Sequence, residues 1–212
     1  MTRRCVVAAS SPVPPNTLIY TSGITVADNP KLAGTVVVDE LIPYRYEGRF
    51  PGPPETGKYV NSGTIQTRVV QTATGTMDFY WRVMADSTSG TPVQGIAVVP
   101  FGTLSDVFII DYRIDGLGDV PLEGVARNND TAYVFQFLHM NLPPGKSSNF
   151  FFAETTATSF AKIAPVMVWD AFINSPWALG YGPAQSIPLK EWRIRLTELR
   201  VRSTASLEAG YG

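Results

Sequence analysis

The sequence predicts an all-β protein: a β-sandwich of antiparallel sheets, jelly-roll or Ig-like, preceded by a proline-rich N-terminal arm. Three observations carry that expectation. Residues 62–86, SGTIQTRVVQTATGTMDFYWRVMAD, hold two alternating runs joined by a turn-rich segment. Glycine and proline number 18 and 17 in 212 residues while charged residues make up only 17%, which suits short strands between many turns better than helices. The same short-strand rhythm recurs along the rest of the chain.

The central stretch reads as a hairpin. Ile65, Thr67 and Val69 fall on one side of the first arm and Gln66 and Arg68 on the other, while Phe79, Trp81 and Val83 alternate with Tyr80 and Arg82 in the second. That two-residue period is the mark of a strand with one buried face, and the β-branched and aromatic side chains suit a pleated surface. Residues Thr72 to Thr76 make the turn. Each large apolar side chain is worth roughly 1.5–3 kcal/mol when fully buried. A lone hairpin is not stable in water, so the chain must supply an opposing layer.

Taken in order, residues 1–17 form the arm, with Pro12, Pro14 and Pro15 holding the backbone extended; it is either solvated or packed on a neighbouring subunit. A single domain is expected over 18–203, with a tail at 204–212. Leu18-Ile19-Tyr20 and Ile24-Thr25-Val26 read as short strands before the turn Asp28-Asn29-Pro30, and residues 34–43 as a core strand. Tyr44, Tyr46 and Phe50 then lead into a Gly/Pro-dense loop at 51–57. Further strands are expected at 95–100, 107–113, 131–138, 149–153, 155–161 and 164–169, with a turn at 142–148 and a loop from 174 to 188. The run 149–153, apolar on both faces, belongs in an interior or an interface. Residues 191–202 alternate as Trp192, Ile194 and Leu196 but also fit one helical face, and a strand with a bulge is favoured.

Composition narrows the function classes. A formal charge of −1 argues against nucleic acid as a partner. With one cysteine, Cys5, and one histidine, His139, an intrachain disulfide, a cysteine-built zinc site and a His-His metal motif are all excluded. His139 has no evident serine or cysteine nucleophile motif to serve. No run approaches the roughly 20 apolar residues of a transmembrane helix. The chain is expected not to be an enzyme; the one catalytic version its composition accommodates is a paired-carboxylate glycosidase.

Three candidate sites remain. Asp111, Asp115 and Asp119 in a turn-rich stretch have the residue type that would ligate calcium, set against the ordinary reading that they cap turns. Apart from calcium, no cofactor is implied. Tyr44, Tyr46, Phe50, Trp177 and Tyr181 would stack on sugar rings if they shared a surface. Arg193, Arg195, Arg200 and Arg202 form a basic stretch that would meet an acidic partner surface or blunt a strand edge.

Four pieces taken together, GTVVVDELIPY at 34–44, the hairpin at 62–86, DYRIDGLGDV at 111–120 and LPPGKSSNFFFAETTATSFAK at 142–162, resemble a group of exported bacterial proteins that often carry a PEP-CTERM sorting signal. The resemblance spans about residues 34–165. It implies an extracytoplasmic β-rich protein at the cell surface or in the extracellular matrix, and it carries over no catalytic residues. The Pro-Glu-Pro segment, hydrophobic helix and basic tail of such a signal do not stand in this sequence. The leading expectation is a noncatalytic structural or interaction protein that self-assembles as a homo-oligomer or joins other protein subunits; a viral or appendage jelly-roll subunit is a variant of it. The alternative is a carbohydrate-binding module for matrix glycans.

Overall fold

The computed structural model describes residues 13–14, 16–50, 52, 57–99, 107–128, 132–137, 139, 141–172 and 175–184. Along them run strands β1 (Thr17–Tyr20), β2 (Gly34–Arg49), β3 (Lys58–Thr72), β4 (Met77–Ala85), β5 (Gly95–Val98), β6 (Val107–Tyr112), β7 (Gly124–Asn128), β8 (Ala132–Gln136), β9 (Phe151–Thr155), β10 (Phe160–Trp169) and β11 (Ala178–Pro183). A single 3-10 turn, Pro30–Leu32, is the helical element among them.

The predicted hairpin is β3–β4, paired from Gly63 opposite Ala85 to Gln71 opposite Met77. Its turn closes where expected: Gly75 takes φ +86, and the Thr72 and Thr76 hydroxyls lie 2.7 Å apart across it. The hairpin sits inside a five-stranded sheet ordered β2-β3-β4-β9-β6, which faces a six-stranded sheet ordered β1-β7-β8-β5-β10-β11. The strand pairs are antiparallel throughout. The architecture is thus a β-sandwich.

Trp81 of β4, Phe151 of β9 and Phe135 of β8 join the layers. Their ring centroids lie 4.7 to 6.1 Å apart and all three side chains are fully buried. Ile65, Val69, Phe79 and Val83 point into the same core, as alternation within the hairpin requires. The outer face of the five-stranded sheet is also partly covered. There Val70, Tyr80 and Phe152 pack with Phe150, Ile24 and Leu32 into a second cluster, so the both-faced apolar run around Phe150–Phe152 divides between two cores.

The structure revises several expected boundaries. The strand expected at 34–43 continues to Arg49, paired with β3 as far as Arg49 opposite Lys58. Residues 44–49 are therefore ladder and not the approach to a loop. Residues 178–183, expected as loop, form edge strand β11, a position where Pro183 leaves no ladder bond unmade. Strand β7 was not anticipated. Ile24 makes only an isolated bridge to Arg113. Val13, inside the expected arm, is buried in the main core, and its carbonyl accepts from Arg127 Nη1 at 3.1 Å. Residues 191–202 and 204–212 lie outside the described residues.

Candidate functional site

The carboxylates expected to gather around calcium are separated by their own partners. Asp111 lies on β6 and is fully buried. It accepts from the backbone N–H of Tyr112 at 2.8 Å, from that of Gly23 at 3.0 Å and from Ser22 Oγ at 3.4 Å. Burial pushes its pKa up against those hydrogen bonds. Asp115 is held by Arg113 Nε at 2.6 Å and by the N–H of Val26 at 2.8 Å, and the Arg113 hydrogen bond keeps its carboxyl low. Asp119 stands in the following turn, its N–H donated to Ser147 O at 2.9 Å. Among the described residues no group of three or more His, Cys, Asp or Glu side chains converges as metal ligands would. Asp111 and Asp115 each anchor the 22–26 segment onto the 111–115 segment across the fold, where the sequence suggested caps of their own turns.

The five aromatics expected to share a surface do not. Tyr44 and Tyr46 occupy inward positions of β2 and are buried, because their even-numbered alternation follows that of Ile42. Phe50 and Trp177 are each 38% exposed. Tyr181 is half-buried on β11, edge-on to Phe160 and donating to Glu40 Oε2 at 2.8 Å. Glu40 and Phe50 lie ten residues apart along β2, roughly 30 Å at the rise of a strand, so no single sugar spans Phe50 and Tyr181. The arginines at 193, 195, 200 and 202 lie outside the described residues. His139 sits beside Glu123, Nδ1 to Oε2 at 2.9 Å, on the surface.

The densest polar constellation was not legible in sequence. Asp170, just past β10, is buried and accepts from Phe172 N at 2.7 Å, Thr91 Oγ at 2.8 Å, Asn61 Nδ2 at 2.9 Å and the Tyr46 and Tyr59 hydroxyls at 3.2 Å each. Asn61 also receives the N–H of Thr91 at 3.0 Å. Burial first, then the Asp170 hydrogen bond, pushes the Tyr59 phenol up to about 12. Tyr46 is raised as well, by burial above all. Five neutral donors take up the acceptor capacity of this carboxylate. What it does is pin β2, β3, the 91 turn and the end of β10 to one another. Above it Phe50, Tyr59 and Phe172 pack with centroids 4.9 to 6.1 Å apart. Its members stand at 46, 59, 61, 91 and 170, so no local spacing announces them; a hydrophilic Asn61 at an inward strand position was the one available signal.

A third feature is apolar. Three of the four sheet edges turn large apolar side chains outward: Leu18 and Tyr20 on β1, Val37 and Leu41 on β2, and Leu179 on β11. Tyr20 is 69% exposed and Leu41 59%. Scans against protein-family models, curated proteins and solved structures found no match to this chain.

Proposed function

We propose that this protein is a noncatalytic structural or interaction subunit that works by contact with other copies of itself or with other protein subunits. The observation that carries the reading is the set of outward apolar residues on β1, β2 and β11. Edge strands offer unpaired backbone N–H and C=O groups, and soluble proteins usually blunt them with charge, proline or short length. Here β2 carries Pro43, Asp39, Arg45, Glu47 and Arg49 along its outward positions, yet keeps Leu41 among them. Apolar side chains at such edges are what a partner surface would cover. The position of this subunit outside the cell, at the surface or in the matrix, rests on the resemblance to exported bacterial proteins.

The test is the native mass by light scattering across a concentration series. The expected result is a concentration-dependent assembly that Leu41→Lys and Leu179→Lys together return to the monomer. A wild-type monomer at every concentration, binding no protein subunit from its own source, defeats the reading.

A further inference from the structure

The outer face of the five-stranded sheet holds a groove of about 320 Å³ between the start of β2, β3, β4 and the turns that cover them. Its walls are apolar, among them Leu32, Val70 and Leu117, and the Phe150 ring lies along it. Arg68, Arg113 and Tyr80 line the groove, and among the described residues no carboxylate does.

The donors of this group are incompletely used. Arg68 gives Nη2 to Asp39 at 2.7 Å while its Nε is buried without a hydrogen-bond partner. Arg113 gives Nε to Asp115 at 2.6 Å. The Tyr80 hydroxyl, on a side chain only 3% exposed, lies beside the Arg113 guanidinium, which can donate to its oxygen, and meets no acceptor for its own hydrogen. A buried phenol facing a polar groove costs free energy while that hydrogen stays unpaired. Arg82 stands behind, its guanidinium 5.3 Å from the centroid of Phe150 as that of Arg68 is at 4.5 Å. No described carboxylate comes within ion-pair distance of Arg82; Asp39 and then Asp119 act on it from farther off.

Arg68 and Arg113 line the groove while their carboxylate partners Asp39 and Asp115 do not, so the groove itself presents N–H donors, which suits an anion. A volume of about 320 Å³ stands at the small end of the range for ligand pockets and suits a small molecule. We propose that this groove binds a small organic monocarboxylate with an apolar body of that size. The carboxylate accepts from the Tyr80 hydroxyl and the free N–H groups of Arg68 and Arg113, and the body lies against Phe150, Leu32 and Leu117. The groove shares the start of β2, Gly34 and Val36, with the apolar β2 edge but takes in none of Leu18, Tyr20, Val37, Leu41 and Leu179, so its test is separate from that of the assembly reading.

The probe is octanoate, titrated into the isotope-labelled full chain and followed by amide chemical shifts, with octan-1-ol and octyl phosphate in parallel. The expected result is saturable shifts at Val70, Gly116 and Leu117 with a dissociation constant of about 1 mM or tighter. Octan-1-ol and the dianion of octyl phosphate each bind about tenfold more weakly or worse. Arg113→Gln weakens octanoate about tenfold. Leu117 is 59% exposed, so Leu117→Glu should leave the fold intact while placing a like charge at the groove mouth and abolishing binding. Shifts that do not saturate or that map elsewhere overturn the proposal. So does octan-1-ol binding as tightly as octanoate, or a folded Leu117→Glu that still binds.

Discussion

Asp78 shows what one residue can do to stability. It sits on β4 with its side chain fully buried. Oδ1 accepts only the N–H of Thr155, at 3.2 Å, and Oδ2 has no partner. Burial, with Glu154 nearby, raises its pKa from 3.8 to about 7. The folded chain therefore holds this proton more tightly than the unfolded one, and stability is lost as pH rises between those two values. The upper bound is about 4 kcal/mol for a shift of that size. Asp39, where hydrogen bonds from Arg68 and Gln66 overcome burial, and Asp115 have lowered pKa values and act in the opposite sense, losing stability on acidification. The comparison must be differential. Asp78→Asn should melt higher than the wild type at pH 8, with the gap closing towards pH 4; equal melting curves at pH 8 would refute the assignment. Asp170 predicts the reverse kind of effect. Replacing it with alanine strands the donors of Tyr46, Tyr59, Asn61 and Thr91, at a cost of roughly 3 kcal/mol in chemical denaturation; a loss below about 1 kcal/mol would mean that water takes over the acceptor role.

At the scale of the element, the hairpin turn tests whether local chemistry sets register. Gly75 sits at φ +86 with open space where a Cβ would go. The only cost of Gly75→Ala is then the left-handed backbone, about 1–2 kcal/mol, and Gly75→Asn should recover part of it. Equal stability of the alanine variant in urea would show that the turn relaxes to another type. Strand β2 is the harder element. Its alternation continues through Tyr44, Tyr46 and Gly48, but charged residues on the odd positions and the proline-rich stretch beyond it hide the ladder. β11 is disguised likewise by Gly180, Gly182 and Pro183, residues an edge strand accommodates because one side of its backbone needs no partner. β7, GVARN, is short and has a single large apolar residue, so it forms by pairing between β1 and β8 and not by propensity of its own.

Across the whole molecule, Trp81, Phe135 and Phe151 bind the two sheets through one contact. The Asp170 network closes one end, and the second cluster under Leu32 and Phe150 covers part of an outer face. Strands β1, β2 and β11 carry exposed apolar side chains, and the groove is lined by Arg68, Arg113 and Tyr80. Alternation of side chains, turn residues and composition determined by themselves that the chain is a β-sandwich built around the 62–86 hairpin, because a two-residue period is a local property of the backbone. Which acids meet, which aromatics are buried and where donors remain unpaired was decided only in three dimensions. Asp111 and Asp115 are claimed by Gly23 and Val26, some 90 residues away, and Tyr46 by Asp170, 124 residues away. No spacing in the sequence encodes separations that are set by the pairing of sheets.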